Sequence, residues 1–146
     1  MQSKLWVNYT VGQVTKFFFD PNSLAKWDRS VAQMIPTSNT EDGKGSTFDT
    51  VSPSGMRMSY EVINMTADSV KTRLVNSKMV KSAIWQFQFV PVGKGTEIIC
   101  SVDVTFRLLF AFLYPVLYFT QSALLRDLHF LRNALDEHYQ QYEKVT

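Results

Sequence analysis

Few side chains in this sequence have both the type and the spacing that chemistry needs. His129 and His138 stand nine positions apart in one predicted helix, on opposite flanks of its apolar stripe, with no cysteine partner. Zinc sites need tighter ligand spacing, so both read as flank histidines and no metal is expected. Cys100 is the only cysteine. A nucleophilic thiol needs an adjacent base, whereas Cys100 falls between Ile98 and Val102 as a small core residue. Gly43-Lys44-Gly45 lacks the spacing of a phosphate loop and reads as a turn. Gln121 is different: it interrupts an apolar helical stripe, where an unsatisfied amide costs roughly 1–3 kcal/mol. It must meet protein, water or a ligand, or else cap loose backbone near Pro115.

These side chains have to be positioned by a long C-terminal helix and a sheet. At the α-helical period, Leu117, Leu124, Leu128, Leu131, Leu135, Tyr139 and Tyr142 share one stripe. A helix from Pro115 to Glu143 would run about 43 Å. Upstream, Lys4 to Thr10 is predicted as a first strand. Two short helices follow, Val11 to Phe19 and Leu24 to Asp28, broken by Asp20-Pro21-Asn22 and capped at Asn22 or Ser23. Val31 to Ile35 is the next strand, and Thr37 to Lys44 a polar loop.

Four hairpins then test one another's register. Gly93-Lys94 suits a two-residue turn, pairing Val92 with Gly95, Phe89 with Ile98, Phe87 with Cys100 and Trp85 with Val102. A loop from Lys78 to Lys81 pairs Leu74 with Trp85 and Thr72 with Phe87. A loop from Met65 to Ser69 pairs Tyr60 with Leu74, and Pro53-Ser54-Gly55 pairs Thr50 with Met58. Every apolar alternate then falls on one face. Asp49, Glu61, Glu97 and Asp103 fall on the other, Glu61 opposite Arg73. No paired carboxylates face inward from the strands, which weighs against acid–base catalysis.

Length and composition fit one domain spanning residues 1–146 with a substantial core. Aromatic residues make up 14%, with eleven Phe, enough for a heavy core or an aromatic-walled cavity. A net charge of +2 without a basic stripe argues against nucleic acid. One cysteine and no apolar leader point to a soluble protein of the cytoplasm. The apolar run Leu108 to Phe119 is too short to span a bilayer, so no stable membrane insertion is expected.

The order strand, two helices, six strands, long helix is carried by FFFDPNSLAKWDRSV (Phe17 to Val31), GSTFD (Gly45 to Asp49), SAIWQFQF (Ser82 to Phe89) and LYPVLYFTQSALLRDLHFLRNAL (Leu113 to Leu135). These stretches resemble the START-like, polyketide cyclase/dehydrase (SRPBCC) superfamily over essentially the whole chain. The resemblance implies an α+β helix-grip fold, a curved antiparallel sheet of about seven strands around the C-terminal helix. It implies a ligand cavity between sheet and helix and no cofactor. The side chains facing such a cavity are Trp27, Phe48, Met58, Tyr60, Thr72, Leu74, Trp85, Phe87, Cys100, Tyr118, Gln121 and Leu125, although each aromatic taken alone is more often simply a core residue. The resemblance further implies a small hydrophobic ligand, polyketide-like, aromatic or lipid-like. Either a cyclase/dehydratase promotes ring closure or water loss through Tyr60, Gln121 or His129, or a non-catalytic carrier or sensor holds the ligand. On the helix's far side, Phe119 and Phe130 suggest a homodimer contact, against a lid or membrane contact near the cavity mouth or cover by the N-terminal helices.

Overall fold

The computed structural model describes residues 1–144 apart from Asp42 and Asn76; side chains of residues 114, 116–121 and 141–144 also lie outside the described set. Strands β1 (Gln2–Val7), β2 (Gln33–Ser38), β3 (Thr47–Val51), β4 (Arg57–Thr66), β5 (Ser69–Val75), β6 (Val80–Val92) and β7 (Gly95–Phe106) form one antiparallel sheet. Its order is β1-β7-β6-β5-β4-β3-β2. Helices α1 (Val11–Phe18) and α2 (Leu24–Trp27) follow β1. A 3₁₀ segment, Leu108–Phe119, leads into the closing helix α3 (Thr120–Lys144).

The first strand stops at Val7 rather than running to Thr10. Thr10 is the N-cap of α1: its hydroxyl accepts from the Gln13 N–H at 3.2 Å, while its own N–H donates to the Gln13 side chain at 2.9 Å. That reciprocal cap fixes the corner. α1 breaks at Asp20-Pro21, and the buried Ser23 hydroxyl bridges the Phe18 and Asp20 carbonyls at 3.0 and 2.8 Å. The tight corner sends Trp27 inward. β2 begins and ends later than expected and carries Pro36, which an edge strand tolerates.

The β6–β7 register is the expected one from Val92↔Gly95 to Trp85↔Val102. So are Tyr60↔Leu74, Glu61↔Arg73, Phe48↔Tyr60 and Thr50↔Met58. The Arg73–Glu61 and Arg57–Asp49 pairs close at 2.7 and 2.6 Å on the wet face. The β4–β5 connection is shorter than expected, a turn at Ala67-Asp68, with a bulge at Ile63 absorbing the difference. The β5–β6 pairing differs by two residues: Thr72 faces Trp85 and Val70 faces Phe87. Its ladder ends at Arg73↔Ile84; nearer the loop, Leu74 and Val75 pair only with β4, and Val80, Ser82 and Ala83 only with β7. A two-residue shift preserves the face of every side chain, so the inward set survives.

The closing α-helix starts at Thr120 rather than Pro115. Pro115 has no N–H to give an α-helical ladder, and the residues around it wind as 3₁₀. Leu108, Leu109 and Phe112 on that segment are exposed. Phe130, expected on the face away from the sheet, is half-buried against the core with the Arg29 guanidinium 4.2 Å from its ring centre. Phe119 lies outside the described side chains. Among the described residues no helix is long and apolar enough to cross a membrane.

The core is lopsided, and that creates the site. Leu124, Leu128, Leu131 and Leu135 pack with Val7, Phe89, Ile98, Cys100 and Val102 and with Val14 and Phe17 of α1. Apart from the 3₁₀ segment that leads into it, α3 therefore lies mainly on β1 and α2. Tyr9 donates to Asp136 at 2.6 Å and Tyr139 to the Gln13 carbonyl at 2.5 Å, fastening the helix at that end. Over β3, β4 and β5 the concave face is left open.

Candidate functional site

The uncovered half of the sheet becomes a cavity of about 710 Å³, within the range of small-molecule sites, roughly 300–1,000 Å³. Two aromatic walls bound it. On one side Phe18 meets Phe87 at 4.8 Å between ring centres and stacks on Trp27 at 6.0 Å. Trp27 also meets Phe87 edge-on at 6.0 Å. On the other side Phe48 stacks on Tyr60 at 5.2 Å, and Trp85 meets Tyr60 edge-on at 5.6 Å. Strand alternation supplies the floor, with Thr50, Val62, Val70, Thr72 and Cys100 pointing in, and Leu124, Asp127 and Leu128 of α3 form the roof. Asp20, Pro21, Asn39, Thr40 and Glu41 contribute from the loops.

Of the side chains expected there, Trp27, Phe48, Tyr60, Thr72, Trp85, Phe87 and Cys100 line this cavity. Met58 and Leu74 do not. They share the concave face but stand one alternate beyond Tyr60 and Thr72, behind the second aromatic wall, where the Tyr60 hydroxyl lies 4.0 Å from the Met58 sulfur. Leu125 is 40% exposed and outside the lining: it follows Leu124 and so turns about 100° away from the stripe. His129, next after Leu128, is likewise carried off the lining. The side chains of Gln121 and Tyr118 fall outside the described residues.

One functional group escaped the strand-based reading. Asp127 reaches the cavity from α3, three residues after Leu124 and four before Leu131, spacings that share a helix face. Asp28, directly after Trp27, also lines it, with its carboxylate fixed by the Ser30 hydroxyl at 2.6 Å and N–H at 3.0 Å. Desolvation pushes the Asp127 carboxyl above its ordinary value of 3.8; the Asp28 charge adds to the rise and Arg126 opposes it. Burial raises the Tyr60 hydroxyl, with Thr50 hydrogen bonding pulling the other way and Asp28 adding to the rise. Burial, with some help from Asp127, pushes the Cys100 thiol up to about 12, which makes it inert. Among the described residues no group of three His, Cys, Asp or Glu side chains could hold a metal ion.

A raised carboxyl has a consequence for stability. The folded chain holds the Asp127 proton more tightly than the unfolded chain. In the window from 3.8 upward the folded state therefore binds more protons, and stability falls as pH rises. Asp127→Asn should remove that fall. Melts from about pH 3 to about pH 8 should show the variant equal to wild type at the acid end and at least as stable at neutral pH. A variant clearly less stable at neutral pH would contradict the assignment.

Three tryptophans allow an optical check. Trp27 and Trp85 line the cavity, whereas Trp6 lies outside it and donates to the Val92 carbonyl at 2.9 Å. Trp85→Phe should reduce a ligand-induced fluorescence change, and Trp27→Phe/Trp85→Phe should abolish it. A change that persists in the double variant would put the ligand elsewhere.

No protein-family model matches the chain, and no curated protein matches it in sequence. Solved structures do match in shape. A START superfamily protein from Mycobacterium smegmatis superposes with a TM-score of 0.74 at 16% identity, over 97% of each chain. The di-domain ARO/CYC StfQ from the steffimycin biosynthetic pathway gives 0.70 at 15% identity, over 96% of this chain and 51% of that one. Norcoclaurine synthase from Thalictrum flavum, solved with dopamine and hydroxybenzaldehyde, gives 0.70 at 14% identity, over 94% and 86% of the two chains. With its seven-stranded curved sheet, short helices after the first strand and long closing helix, the chain has the START-like helix-grip fold.

Proposed function

We propose that the chain binds a small hydrophobic molecule in this cavity and promotes ring closure or water loss on it, in the manner of a polyketide cyclase/dehydratase. The observation that carries the reading is an aromatic-walled space of about 710 Å³ onto which a raised carboxyl, Asp127, and a protonated phenol, Tyr60, both open. The walls hold a folded substrate in place, and positioning alone can lower a barrier by several kcal/mol. Tyr60 donates a hydrogen bond to a substrate oxygen. Asp127 accepts a proton from carbon or delivers one to a departing hydroxyl, a role suited to a carboxyl whose pKa has moved towards the working pH. The shared fold with an ARO/CYC protein and with norcoclaurine synthase supports ring-forming chemistry.

The test starts with native mass spectrometry of freshly purified protein, to find and identify a co-purified apolar molecule. On that compound or its precursor, Asp127→Asn and Tyr60→Phe should each lower turnover at saturating substrate by about 10²- to 10⁴-fold. Turnover unchanged in both variants would remove the catalytic role. A carrier is the second reading, favoured by the floor of Val62, Val70 and Thr72 and the inert Cys100 thiol. It predicts a bound molecule whose mass never changes on incubation.

A further inference from the structure

The cavity is charged in one sense only. Its lining includes Asp20, Asp28, Glu41 and Asp127, and among the described residues no lysine, arginine or histidine. The chain as a whole carries a net charge of +2, so this is a local property and not a reflection of composition. Asp20 and Glu41 are exposed, whereas Asp28, directly after Trp27, and Asp127 are half-buried in the lining. Arg29 lies over the Phe130 ring, and Arg126, whose charge acts on Asp127, lies outside the lining.

Resting on the reading of the cavity as a ligand site, we infer that its ligand is an apolar amine, bound as the ammonium at Asp127 and Asp28 with its rings between the aromatic walls. Three effects favour that charge. A cation relieves the mutual repulsion of the two carboxylates, makes charge-assisted hydrogen bonds to them, and is attracted to the faces of Trp27 and Phe87. A carboxylate or phosphate ligand meets four acidic side chains and no cation in the lining, so fatty acids and acyl phosphates are disfavoured. Tyr60 then faces the far end of the ligand and serves an uncharged oxygen there.

Calorimetry at neutral pH with three naphthyl compounds of matched ring and chain, an ethylamine, an ethanol and an acetate, separates the possibilities. The amine should bind at least about tenfold tighter than the alcohol, and the acetate weaker than both. Asp127→Asn should cut the amine's advantage several-fold while leaving alcohol affinity nearly unchanged, the alcohol reporting that the cavity is still formed. Equal affinities, a preference for the acetate, or an amine preference that survives both Asp127→Asn and Asp28→Asn would overturn the inference and leave the cavity reading standing. Failure of all three compounds to bind would overturn the cavity reading and this inference together.

Discussion

Val70→Phe combined with Thr72→Trp should weaken binding of any cavity occupant by more than about a hundredfold and leave the protein folded. Both side chains rise from β5 into the middle of the floor, facing Phe87 and Trp85 across the strand pair. Burying about 300 Å² of apolar ligand surface contributes roughly 7 kcal/mol gross. Rings placed on the floor take nearly half of that contact, about 3 kcal/mol, which is a hundredfold in affinity. The folding cost is small because the rings enter space that is empty, and aromatic residues suit a strand. Titration with the naphthyl alcohol and a thermal melt check both halves. Undiminished affinity would mean that binding takes place elsewhere.

Gly95→Ala should cost about 3 kcal/mol of stability or more, at the upper end of what overpacking does. A Cβ at this position would land on the Val7 carbonyl and within 2.5 Å of the Trp6 ring. Those atoms belong to β1, which pairs with β7 from Gln2↔Ser101 to Val7↔Thr96, and Val7 is fully buried in the core. The strand can yield only by giving up part of that ladder. For a chain of this size the loss lowers the melting temperature by roughly 10 °C. Gly93→Ala is the internal comparison: its φ of 60° favours glycine, but nothing stands within 4 Å of the added carbon. It should cost only about 1 kcal/mol. Equal effects of the two substitutions would argue against close approach as the cause.

The strands were legible because turn chemistry and alternation constrain one another. Gly93-Lys94 fixed β6 against β7 residue by residue, since the turn abuts the ladder. The β5–β6 hairpin was not legible to the same degree. Its loop has no glycine or proline to mark where pairing begins, and the ladder starts only at Arg73↔Ile84. The six strand side chains expected in the cavity that line it, Phe48, Tyr60, Thr72, Trp85, Phe87 and Cys100, followed from parity, which a two-residue shift cannot disturb; Trp27 stands on α2, where parity does not apply. Met58 and Leu74 have the same parity but lie too far along their strands, a distance that alternation does not encode. Asp127 was missed for a different reason. Sheet register speaks only to strand carboxylates, whereas Asp127 stands at the edge of the leucine stripe, at i+3 from Leu124 and i−4 from Leu131. Asp28 could not have been placed without the Ser23 corner that turns α2 against α3.

Isotope-filtered nuclear Overhauser spectroscopy with the naphthyl alcohol reads out whether a ligand sits in the space between sheet and helix. Cross-peaks are expected from the ligand ring to the methyl groups of Val62, Val70, Thr72 and Leu128, which line the cavity, and none to Leu108, Leu109 or Leu125, which are exposed. Cross-peaks confined to those exposed leucines, with the cavity methyls silent, would contradict it.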